Sequence, residues 1–122
     1  MKREILFRGK RIFDNKFEYG YLSWHCLGNG TNYFINNNVV IKETVGQFTG
    51  MTDKNGTKIF EGDIVRHIDT TRHVVEVVNS EVYFDTEMLK FRFRYSNELF
   101  HCQFNNELEV IGNIHDNKEL LK

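Results

Sequence analysis

Proline and alanine are absent from all 122 residues. Alanine is the strongest helix former, and its loss removes the usual filler of long helices. Strand formers stand in its place: Val, Ile, Thr and the aromatic residues together make up 44 of the 122. An excess of either charge is missing too. The net charge is −1 and the pI is near 6.5, which excludes a general attraction to nucleic acid or to an anionic membrane. No apolar run reaches the roughly 7–15 residues of a signal-peptide core or the roughly 20 of a membrane span. The reading is therefore a cytoplasmic chain with no membrane partner. Cysteine is scarce: Cys26 and Cys102 lie far apart and form no CxxC motif. In a reducing compartment both are expected to be ordinary buried thiols. Repeats, low-complexity tracts and Gly/Ser linkers are also lacking, and a chain of 14.5 kDa buries about two-thirds of its surface in one core. One domain over residues 1–122 is expected.

What is present reads as an antiparallel meander. Strands are predicted over Glu4–Arg8, ending at Gly9, around Ile12 and Phe13, and along Phe17–Leu27, where aromatic residues alternate. Gly28-Asn29-Gly30 and Asn36-Asn37-Asn38 turn the chain around Tyr33–Ile35, and Val39–Ile41 follows. Asp53-Lys54-Asn55-Gly56 suits either a type I turn or a type I′ hairpin. At Glu61-Gly62-Asp63 the glycine can take a positive φ, and the Asp63 carboxylate can accept a backbone N–H bond before a strand begins at Ile64. Further strands are expected at Val74–Val78, Val82–Phe84, Met88–Tyr95, Leu99–Phe104 and Leu108–Ile114. Asn79-Ser80, Asp85-Thr86, Ser96-Asn97 and Asn105-Asn106 separate them. Such spacing predicts an all-β protein, an antiparallel barrel or sandwich that opens as a meander of short strands. Asn117–Leu121 forms one short C-terminal helical turn, placed to plug an end of the barrel.

Three segments carry a family resemblance. The run Val45-Gly46-Gln47-Phe48-Thr49-Gly50-Met51-Thr52-Asp53-Lys54-Asn55-Gly56-Thr57-Lys58-Ile59-Phe60-Glu61-Gly62-Asp63-Ile64-Val65 resembles the central signature of the YopX family of small bacteriophage and prophage proteins. Arg3–Arg11 with Tyr19-Gly20-Tyr21-Leu22 is similar to the opening of one branch of that family, and Leu108–Asn117 to its close. Phe60 and His115 stand where tyrosine is usual, and Lys118 stands where proline commonly follows asparagine. The resemblance implies a mostly β fold, with an N-terminal strand meander over 1–44 and a small SH3-like or pseudo-barrel half over 45–122, and a phage or prophage origin. It implies no reaction. Asp53, Asn55, Gly56, Gly62 and Asp63 read as a structural turn motif, since turn chemistry accounts for every polar position in the signature.

Few residue patterns suggest chemistry. Asp53-x-Asn55-x-Thr57 begins like a calcium loop, but Lys58 replaces the required glycine and Ile64 the required glutamate. Phosphate-loop and nucleophile-elbow motifs are absent. His25-Cys26 and His101-Cys102 could offer zinc two imidazoles and two thiolates, yet neighbours on a strand face opposite ways, and no metal is expected. A Cys26–His101 nucleophile pair across strands is the other chemical alternative, set against the plainer reading of two core cysteines and two exposed histidines. Lys90, Arg92 and Arg94 fall on one strand face, with Phe91, Phe93 and Tyr95 on the other. The N-terminal sixteen residues carry a local charge of +4, including Arg8, Lys10 and Arg11. Both sets read first as solvated cations on strands, and in the functional alternative as phosphate contacts.

The chain is thus expected to be a non-enzymatic, phage-type accessory protein without a cofactor, working in the host cytoplasm. Its partner is a macromolecule, a phage or host protein first and nucleic acid as the alternative, with self-assembly through open strand edges also in view.

Overall fold

The computed structural model describes residues 4–69, 75–94 and 108–121. Its strands are β1 (Phe7–Lys10), β2 (Phe17–Gly20), β3 (Leu22–Leu27), β4 (Gly30–Ile35), β5 (Asn38–Val40), β6 (Gly46–Thr52), β7 (Lys58–Phe60), β8 (Asp63–Asp69), β9 (Glu76–Asp85), β10 (Lys90–Phe93) and β11 (Glu109–Asn113). They form three antiparallel sheets, with orders β2-β1-β6-β7, β10-β9-β8-β11 and β3-β4-β5, one of them curled into a half-barrel. The described residues contain no α-helix, only short 3-10 turns at Lys42–Thr44 and Lys118–Leu121. The fold class agrees with the strand-rich composition, and the Asn117–Leu121 turn is present. By contacts the chain divides into two compact units, Met1–Phe48 and Thr49–Lys122.

In the first unit, local turn chemistry sets the meander. Between β3 and β4, Gly28 takes a φ of 47° while Asn29 does not, the φ pattern of a Gly-first two-residue hairpin turn. Between β4 and β5, Asn36 and Asn37 both turn left-handed, at 51° and 66°, as a type I′ connection requires. Ile35, Val40 and Phe48 are buried here. The expected strand at Glu4–Arg8 starts later and does not stop at Gly9. A Cβ on Gly9 would sit 3.1 Å from Val40 and 3.2 Å from Val45, so the glycine permits a close approach inside β1 and ends nothing. Ile12 and Phe13 are no strand either; they lie exposed in a turn closed by Asn15 N–H donating to Arg11 O (2.9 Å). The alternating run from Phe17 breaks at Tyr21 into β2 and β3.

The second unit packs Ile59, Val65, Val82, Phe93 and Leu108 into a core, with Met51, Phe91 and Val110 against it. Its signature turn shows why Asp53 begins it. Asp53 O accepts from Gly56 N (3.0 Å), closing a four-residue turn, and Gly56 takes φ 80°. Of the two turns the sequence allowed, this is the type I form, because Asn55 keeps a negative φ that type I′ forbids. Asp53 Oδ1 accepts from Asn55 N and Thr57 N, and Oδ2 from Val110 N, all at 2.9 Å, so one carboxylate ties the turn to β11. At the next turn Gly62 has φ 94° and Asp63 Oδ2 accepts from Phe60 N (2.8 Å), as expected.

One expected turn is not there. Asn79-Ser80 lies inside β9, which runs unbroken through ten residues. Both side chains find partners without leaving the strand: Ser80 Oγ meets His67 Nε2 (2.9 Å) in the core, and Asn79 Nδ2 donates to Leu120 O (3.1 Å) outside it. Met88 and Leu89 belong to a turn, Leu89 at φ 55°, and the strand they were expected to open begins at Lys90. At the C-terminus, Asn117 Oδ1 accepts from Asn113 N (3.2 Å) and Asn113 Oδ1 from His115 N and Asp116 N (2.9 and 3.0 Å). That network fixes the C-terminal turn without a proline. The strand expected at Leu99–Phe104 lies outside the described residues.

Candidate functional site

The cations singled out in the sequence are drawn inward. Arg8 and Lys10, two apart on β1, each retain only 5% of their exposure. The Arg8 guanidinium carbon stands 4.3 Å, and Lys10 Nζ 5.3 Å, from the centre of the Phe17 ring on β2. The expectation of solvated side chains is corrected there, because β1–β2 pairing brings the Phe17 ring to both charged heads. Arg11 is committed to Asp14 (2.6 Å) and Glu18 (3.0 Å). The Asp14 hydrogen bond, against the opposing effect of partial burial, raises the Arg11 pKa above its ordinary value.

The ridge on β10 is neutralised in the same way. Arg92 Nη1 is 2.9 Å from Asp85 Oδ2, and Arg94 Nε is 3.2 Å from Glu81 Oε1, with its guanidinium 4.0 Å over Tyr83. The Asp85 carboxyl is held below its ordinary pKa by the Met88 N–H and then by Arg92, against a smaller effect of burial. Lys90 is half-buried, opposite Asp85 in the register. Phe93 faces the core, and Phe91 packs against it, as the alternation predicted; Tyr95 is outside the described residues. The N-terminal and β10 cations therefore occupy separate units and are largely spoken for by carboxylates or rings.

The turn motif is likewise occupied. Asp53 is 2% exposed and its oxygens face three backbone N–H groups, so they are aimed at the chain itself. A buried Ser80–His67 contact, which the sequence reading did not single out, superficially pairs a hydroxyl with a base. The His67 ring is 1% exposed and lies flat on Phe93, 3.7 Å between centres, which suits a cross-strand tie within the core. His101 and Cys102 lie outside the described residues. His25 and Cys26 do point to opposite faces of β3: the imidazole edges onto Phe34 (5.3 Å), while Cys26 Sγ stands 3.7 Å from Thr31 Oγ1. Cys26 is exposed, correcting the expectation of a buried thiol.

The exposure of Cys26 belongs to a larger feature. Trp24, His25, Cys26, Thr31 and Asn32 are all exposed, although they alternate between both faces of the β3–β4 hairpin. Its far half stands in solvent on either side. Trp24 is 62% exposed beside Tyr33, its cross-strand neighbour, and Tyr21 is 79% exposed just before β3. β3 is an edge strand of its sheet, and among the described residues nothing pairs along its far side. Folded proteins usually blunt such an edge with lysine, proline or a bulge. Here the β3–β4 register runs without a shift, proline is absent, and no Lys, Arg, Asp or Glu occurs among the 23 residues 19–41 in a chain that is 27% charged. That charge-free interval was the sequence signal for this surface. Periodicity could not reveal it, because it shows which residues share a face and not whether anything covers that face.

The architecture has a counterpart among solved structures. The chain is similar to protein EF1440 from Enterococcus faecalis, whose crystal structure matches with a TM-score of 0.60 at 22% identity, covering 99% of this chain and 100% of that one. At that identity the likeness concerns the fold. No curated protein matches. The family model described as YopX protein matches residues 7–122, spanning the β1–β2 pair, the Asp53 turn and the asparagine-rich close, and the chain is a member of the YopX family.

Proposed function

We propose that this chain is a non-catalytic, phage-type accessory protein that acts in the bacterial cytoplasm by binding another protein through the β3–β4 hairpin. The observation that carries the reading is the combination of an open strand edge with exposed Trp24 and Tyr21 in a segment without formal charge. Edge backbone groups give affinity by strand addition, and aromatic side chains give the buried anchors that protein interfaces favour. The absence of cations favours protein over nucleic acid as the partner at this surface, since phosphate contacts supply most nucleic-acid affinity.

Affinity capture from infected or induced host cells, with a nuclease-treated control, tests the reading. A protein held by the wild type after nuclease treatment and lost with Trp24→Ser is the expected outcome. The same proteins captured by both forms, or none by either, would remove it. Nucleic-acid binding through Lys90, Arg92 and Arg94 is the second reading, supported by their alternation with aromatics; it requires the Asp85 and Glu81 bridges to open.

A further inference from the structure

An open strand without charge pairs best with a strand whose polarity matches it rung by rung. The side-chain order of β3 supplies such a match from within. Counting outward from Trp24, the neighbours are Ser23 and His25, both polar, then Leu22 and Cys26, both apolar. The strand is a polarity palindrome about its tryptophan. When two copies of one strand pair antiparallel, opposite residues share a face, so the two-fold axis must pass through a residue position. An axis at Trp24 sets Trp24 against Trp24, Ser23 against His25, and Leu22 against Cys26 of the second copy.

We propose, resting on the protein-binding reading above, that β3 is the seam of a homodimer in which two copies pair antiparallel about Trp24. Two three-stranded sheets become one sheet of six. Charge matching selects the occupant: with residues 19–41 uncharged, a second copy brings no ion to the seam and sets no like charges face to face. A lysine- or glutamate-bearing strand would find no counter-charge on this segment. The axis also gives the exposed indole a cover, since two tryptophans side by side can offset-stack. Ser23 Oγ reaches a histidine ring in the partner strand. A five-residue seam is small beside the roughly 1,600 Å² of a standard interface, so the dimer is a weak one, with Kd on the order of 10 µM or above.

Sedimentation velocity of the full chain from about 1 µM to about 1 mM spans that range. The wild type is expected to shift from monomer to dimer. Trp24→Lys places two ammonium groups opposite each other and weakens association about tenfold or more. Mixing Trp24→Lys with Trp24→Glu restores it between unlike chains, a recovery that misfolded variants cannot give. A wild type that stays monomeric throughout overturns the seam, as does Trp24→Lys associating like the wild type, or a mixture no tighter than either variant alone. A monomeric wild type that still captures a protein in a Trp24-dependent manner also overturns the seam while leaving the protein-binding reading intact. Capture indifferent to Trp24 sinks that reading by a separate measurement.

Discussion

At the residue scale, two aspartates show how a carboxylate can serve backbone instead of chemistry. Asp53 gathers N–H groups from Asn55, Thr57 and Val110 while almost sealed from water. Removing it orphans all three donors, so Asp53→Ala is expected to cost about 3 kcal/mol or more in denaturant unfolding. Asp53→Asn should cost less, but not nothing, because its amide must turn one donor toward another. Asp85 is different, being partly solvated and tied to Met88 N–H, Arg92 and Glu87 N–H. Its pKa is lowered in the folded state, so its stabilisation is present above the unfolded-state value and lost as pH falls through the folded-state one. Asp85→Asn is therefore expected to be less stable than the wild type at neutral pH. The gap should begin to close below about pH 4, where the unfolded carboxyl takes up its proton, and vanish only below the lower folded-state value. Unfolding curves at a series of pH values check the sign.

At the scale of the element, turns with their own chemistry were legible and strand limits were not. Asn36-Asn37, Gly56 and Gly62 adopt the positive φ their positions call for, because the preference is a property of the residue. Gly9 and Asn79-Ser80 look like the same punctuation, yet each sits inside a strand. Gly9 is there for lack of room beside Val40 and Val45; Gly9→Ala is expected to destabilise the fold by about 1–3 kcal/mol in thermal or denaturant unfolding. Ser80 and Asn79 stay in β9 because His67 and Leu120 O answer them. Small polar residues break a strand only where no neighbour satisfies them, and neighbours are not written in a local window.

Across the whole molecule, the near-zero net charge conceals a distribution in which cations are matched locally. Arg11, Arg92 and Arg94 hold carboxylates, while Arg8 and Lys10 lie over Phe17. The chain is expected to pass a polyanion column without retention at about 0.15 M salt, where screening leaves only close, unneutralised contacts. Retention that Arg92→Gln and Arg94→Gln abolish would instead restore the nucleic-acid reading. The strand-rich composition and the signature around Asp53 determined, by themselves, the all-β class, the principal turns and the family, since propensity and turn geometry act over a few residues. Which cations would be buried, and that Trp24 and Cys26 would stand in solvent, only the tertiary structure decided. Burial depends on what strand pairing brings alongside: Phe17 came to lie beside Arg8 and Lys10, and no described strand came to pair along the far side of β3.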